Sequence, residues 1–115
     1  MSLLKLSPNF KPAFDGPKEA SKLVSKLLKE LPVVKVFLFG SSAEKKNTSD
    51  SDLDILVVVP NKSDVMDYYK VVNAPFFSPI ATDWIFKTED EFLTRKDLGG
   101  VCFIASRHGV LLYGS

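Results

Sequence analysis

The sequence predicts an α/β fold of the α+β kind, in which helices pack on a small mixed β-sheet. Three observations predict it. Apolar residues recur at helical spacing from Ala20 to Leu31. Two short β-branched and aromatic runs, residues 33–39 and 52–59, are each too brief for a typical helix. Helix-like and strand-like segments then alternate to the end of the chain, with no repeat at a fixed period. The order expected is helix, strand, strand, helix, strand, helix, strand.

Residues 1–14 carry Pro8, Pro12 and scattered apolar side chains without a period and read as an N-terminal arm; residues 15–115 read as a single domain. Asp15 is placed to cap the first helix and Pro17 suits its first turn. Ala20, Leu23, Val24, Leu27, Leu28 and Leu31 form its apolar stripe, and Pro32 stops it. The first strand lies between Pro32 and Gly40, and the second ends at Pro60. A polar loop joins them, with a helical turn at residues 42–46. Residues 63–73 read as a second helix with Val65, Met66, Tyr69 and Val72 facing inward, and Tyr68 beside them. After Pro75 and Pro79, residues 80–87 form a third strand with Trp84 and Phe86 on one side and Asp83 and Ile85 on the other. Thr88, three residues before Glu91, is a capping box for a helix that carries Phe92 and Leu93 inward. Gly99-Gly100 interrupts that helix. Residues 101–107 make a short helix closed by Gly109 in the left-handed conformation, and residues 110–113 a last strand.

Composition narrows the function. The chain has 15 basic and 14 acidic residues among 115, spread along its length, so it has no electrostatic footprint for long nucleic acid. A hydrophobic fraction of 45% argues against disordered and fibrous classes. Cys102, the single cysteine, sits in an apolar run and reads as a buried, inert thiol. No stretch approaches the ~18 apolar residues of a membrane span, so a cytoplasmic protein is expected.

The chemistry concentrates between Phe39 and Leu56. Asp52 and Asp54 open an otherwise apolar strand, and alternation puts both carboxylates on one face with Cα atoms about 6–7 Å apart. Such a pair repels itself unless a cation balances it. Mg²⁺ suits the site because it is commonly held by one or two carboxylates plus substrate phosphates. In phosphoryl transfer, one or two such ions activate the attacking oxygen and neutralise the leaving pyrophosphate. Asp83, a charge within the third strand, is the candidate third carboxylate. Gly40-Ser41 follows the first strand directly, where a glycine admits a phosphate close to the backbone and the next amides and hydroxyls grip it; Ser42 is a further contact. An Asp-x-Asp pair alone is more often incidental. Here it stands with Gly40-Ser41 upstream, strands on both sides and Asp83 downstream. His108 before Gly109 reads as a helix-end charge, and Trp84, Tyr68, Tyr69 and Tyr113 as packing residues.

The block from Gly40-Ser41 to Asp52-Leu53-Asp54, with Asp83 beyond, resembles the signature of the polymerase-β-like nucleotidyltransferase superfamily. The wording Ser49-Asp50-Ser51-Asp52-Leu53-Asp54 and the ending Arg107-His108-Gly109-Val110-Leu111-Leu112-Tyr113 further resemble its minimal nucleotidyltransferase branch, the antitoxin halves of two-gene modules. The resemblance implies transfer of AMP from ATP to a tyrosine of a helical HEPN-type toxin. It also implies triphosphate binding at Gly40, Ser41 and Ser42, metal binding at Asp52, Asp54 and Asp83, and activation of the acceptor hydroxyl by Asp83. The chain departs from the branch at Glu44-Lys45, where many members carry Arg-Gly. Two alternatives stay open, a catalytically weak or inactive antitoxin that acts by binding alone and a small-molecule nucleotidyltransferase of the aminoglycoside type; a homo- or hetero-oligomer is compatible with each.

Overall fold

The computed structural model describes residues 13–44, 46–48 and 51–114. All but the last two residues of the expected N-terminal arm lie outside it, as do Lys45, Ser49 and Asp50 of the loop. Asp15 caps α1 (Gly16–Leu28) as expected, accepting a hydrogen bond from the Lys18 amide at 3.1 Å. The helix ends at Leu28, earlier than Pro32 required, because the Glu30 and Leu31 amides both turn back to the Leu27 carbonyl.

Four strands follow: β1 (Lys35–Phe39), β2 (Leu53–Val59), β3 (Thr82–Thr88) and β4 (Val110–Tyr113). They lie in the order β3-β2-β1-β4, with β1 antiparallel to both β2 and β4, and β2 parallel to β3. The parallel pair requires a crossover, which α2 (Val65–Val72) provides. On the other side of β3 come α3 (Glu89–Arg95) and α4 (Gly100–His108). The mixed sheet with helices on both faces is the fold class expected.

Two cores form. On one face α1 and α2 cover Val36, Leu38, Leu53, Ile55, Val57, Val59 and Phe86 with Leu23, Leu27, Tyr68 and Val72. On the other, Phe92 of α3 and Cys102 and Ala105 of α4 cover Phe37, Leu56 and Val58. A strand buried on both sides reads as a continuous apolar run, which is why residues 53–59 hold one polar member, Asp54. Asp54 shares the α3–α4 side with Leu56 and Val58 and is half-buried there.

Three expectations are corrected. Met66 is exposed: α2 turns Tyr68 and Val72 to the sheet, and a residue two positions from Tyr68 lies on the opposite side of the helix. Leu93 is exposed for the related reason that seven-residue α3 buries a single position, Phe92. Gly109 closes α4 with an extended φ of −85°, not a left-handed one. A glycine serves there because a Cβ would lie 2.5 Å from the Ala105 carbonyl oxygen and 2.8 Å from that of Leu38. The expected break at Gly99-Gly100 is real, and both glycines take positive φ. The Thr88–Glu91 capping box forms in full. Among the described residues no helix is long and apolar enough to cross a membrane.

Candidate active site

β1 ends at Phe39, directly opposite Asp54 of β2. Gly40 then turns the chain at φ +75°, and a Cβ on it would lie 2.4 Å from Asp54 Oδ2. Glycine therefore does two things here: it takes a left-handed conformation that other residues resist, and it leaves the Asp54 carboxylate its space. The chain winds into one tight turn, with the Ala43 and Glu44 amides bonded to the Gly40 carbonyl and the Lys46 amide to that of Ser41.

The parallel register sets Asp54 beside Asp83, just as it sets Leu53 beside Thr82. Both carboxylates belong to the same sheet face, and Asp52 stands one residue before β2. Asp54 is half-buried, while Asp52 and Asp83 are exposed. Burial pushes the Asp54 carboxyl above its usual range, and the negative charges of Asp83 and then Asp52 push it further the same way. Among the described residues none of the three aspartates joins a salt bridge. Nor do any three acidic, histidine or cysteine side chains among those residues come close enough together to cage an ion. An open group of carboxylates whose central member is strained towards its neutral form fits a divalent cation that takes its remaining oxygens from a substrate. It does not fit a closed structural metal site.

Ser42 points elsewhere. It is fully buried, and its hydroxyl donates to the Asp52 carbonyl at 3.2 Å, so it holds the backbone under Asp52. Ser41 is half-buried at the turn itself. The Glu44 carboxylate lies 3.7 Å from Lys46 Nζ, so its charge has a partner within the loop. Trp84 packs with Phe77 and Phe86 on the opposite sheet face from Asp83, as the alternation predicted. Cys102 is buried, and that burial pushes its thiol up, away from reactivity. A cleft of about 350 Å³ lined by Lys87, Arg95, Gly99 and Cys102 opens at the other end of the sheet, clear of the aspartates.

One buried residue escaped the sequence reading. Asn47 is fully buried, and its side chain is bonded to the backbone of Phe14. An asparagine in a polar loop carries no local signal of this, because its partner is 33 residues away.

A family model described as a nucleotidyltransferase domain matches residues 20–112, from within α1 to within β4. The chain belongs to the nucleotidyltransferase domain family. No curated protein matches it. Among solved structures, a Sulfolobus solfataricus protein described as a "putative nucleotidyltransferase" is 25% identical, with a TM-score of 0.57 over 86% of this chain and 80% of that one. Family and fold together make this nucleotidyltransferase a member of the polymerase-β-like superfamily. Every described residue singled out from the sequence, Gly40 to Asp83, falls within the matched span.

Proposed function

We propose that this nucleotidyltransferase transfers AMP from ATP to a protein hydroxyl, a tyrosine of a cognate helical HEPN-type toxin. Residues 15–115 would act as one catalytic domain. The observation that carries this reading is the pairing of Asp54 with Asp83 across β2 and β3, beside the turn at Gly40. Gly40 and Ser41 present backbone and hydroxyl groups to the triphosphate. Asp52 and Asp54, joined by Asp83, are the residues that would hold Mg²⁺, which neutralises charge on the triphosphate and on the departing pyrophosphate. Asp83, exposed and on the far strand, takes the proton of the acceptor hydroxyl. That oxygen then forms a bond to the α-phosphorus, the bond from the α-phosphorus to the bridging oxygen breaks, and pyrophosphate leaves. Ser42 keeps Asp52 in place.

The test is transfer of α-labelled AMP to the partner protein in the presence of Mg²⁺. Label is expected on a tyrosine with the wild-type chain and not with Asp52→Asn/Asp54→Asn; label that survives the double substitution refutes the site. A second reading, an antitoxin that neutralises by occlusion alone, is favoured by Glu44 beside the phosphate turn. Calorimetry separates the two, since Mg·ATP binding that depends on both aspartates speaks for the enzyme.

A further inference from the structure

Among the described residues two polar side chains are buried completely, Ser42 and Asn47, and both belong to the loop between β1 and β2. Asn47 meets the residues just before α1, and Ser42 lies against its first residue, Gly16. Asn47 Oδ1 accepts from the Phe14 amide at 3.3 Å, and its Nδ2 donates to the Phe14 carbonyl at 2.9 Å. The Asn47 carbonyl accepts from the Ala13 amide at 3.3 Å. The side-chain amide thus imitates a peptide group and satisfies both polar groups of one residue, as a strand neighbour would. A little further on, Gly16 lies against Ser42 so closely that a Cβ there would come within 2.5 Å of the Ser42 carbonyl oxygen. Ser42 in turn holds the Asp52 carbonyl.

We infer that Asn47 is a positioning residue. It locks the turn at Gly40-Ser41 in its phosphate-receiving shape by fastening the loop to Ala13 and Phe14, with Gly16 and Ser42 as the second fastening. The inference rests on the nucleotide-binding reading of that turn. A loop with nothing to hold has no need to bury two polar side chains, since a desolvated amide is costly unless every partner is supplied. A loop that must meet a triphosphate gains from being ordered beforehand, because the ordering cost is then not charged against binding. Ala13 and Phe14 therefore support the nucleotide site through the loop they fasten.

Calorimetric titration of Mg·ATP compares the wild-type chain with Asn47→Ala and Asn47→Asp. Asn47→Asp retains an acceptor for the Phe14 amide and loses the donor to its carbonyl. Asn47→Ala is expected to weaken Mg·ATP binding about tenfold or more at a temperature where it remains folded, and Asn47→Asp, which sets a buried carboxylate against the Phe14 carbonyl, at least as much. In transfer assays the loss is expected in KM for ATP, with kcat changed less than about twofold. A residue that merely stabilises the fold would lower the unfolding midpoint and leave the Kd of the folded protein within about twofold; that result overturns the inference.

Should Asn47→Ala not fold, amide hydrogen exchange on the nucleotide-free wild-type chain decides the matter. The amides of Ala13, Phe14, Ala43, Glu44 and Lys46 are expected to exchange at least about tenfold more slowly than in an unstructured chain. Free exchange that slows only when Mg·ATP is added overturns the inference. Wild-type binding of Mg·ATP that survives Asn47→Ala sinks the positioning role and spares the proposed function. Absence of binding by the wild type sinks the proposed function, and the nucleotide role of Asn47 with it.

Discussion

Gly40→Ala tests the site at its narrowest point. A residue with a Cβ at φ +75° carries a conformational cost of about 1–2 kcal/mol. To this the structure adds a collision: the new Cβ would lie 2.4 Å from Asp54 Oδ2, where ordinary contact begins at 3.4 Å. The carboxylate must therefore retreat by about 1 Å, and a displacement of that size at a reacting centre costs on the order of 100-fold in rate. The expected outcome is a folded protein, destabilised by about 1.5–3 kcal/mol in urea, that transfers labelled AMP about 100-fold more slowly. Placing the same substitution in an Asp54→Ala background removes the collision and keeps the conformational cost. The stability effects of the two changes should then couple by about 0.5 kcal/mol or more. Wild-type turnover by Gly40→Ala, or stability effects that add to within about 0.3 kcal/mol, would refute the account of why a glycine stands there.

The remaining predictions follow from single features. The Asp54 carboxyl is raised above 3.8, so its ionised form is penalised in the folded state and metal-free stability falls as pH rises past that value. With divalent cations chelated, Asp54→Asn should be more stable than wild type at pH 7, and urea titrations should show the advantage fading as pH approaches 4. Magnesium should stabilise the wild type and not the variant. The Glu91 carboxyl is held below 4.5, first by its hydrogen bond from the Thr88 amide. Its contribution is therefore present at neutral pH and lost as pH falls through its lowered folded-state value. Thr88→Ala should cost about 1 kcal/mol at pH 7, and Glu91→Gln should flatten the acid limb of the stability profile. Phe76 sits at φ 63° and is 97% exposed, so it has strain and almost no burial. Phe76→Gly should be more stable than Phe76→Ala by about 0.5–1 kcal/mol in thermal unfolding.

What could be read from the sequence was whatever depends on local spacing. The stripe of α1, the unbroken run of β2 and the Thr88–Glu91 box each declare themselves within a few residues. The alternation in β3 separated Asp83 from Trp84 correctly for the same reason. Met66 and Leu93 went wrong because a short helix contains apolar residues on more than one side, and only the neighbouring sheet selects the buried one. Gly109 looked like a left-handed cap and is there for lack of room beside Ala105 and Leu38, a reason that lies on another strand. Ser42 and Asn47 share this difficulty: one supports Asp52 and the other fastens Phe14, and neither partnership leaves a trace in local composition.

β3 is an outer strand of the sheet, and Asp83 is its second residue. Outer strands open more readily than inner ones, and their ends open first. The start of β3 is tied down by the Leu53 amide bonded to the Ala81 carbonyl and by the Ser78 and Thr82 hydroxyls 2.9 Å apart. Asp54 has a strand on either side, paired with Phe39 of β1 and Asp83 of β3, whereas Asp83 has a strand neighbour on one side only. Fraying of a single strand end would then part the two carboxylates without unfolding the domain, so under the proposed mechanism transfer activity is expected to fall on warming well before the fold does.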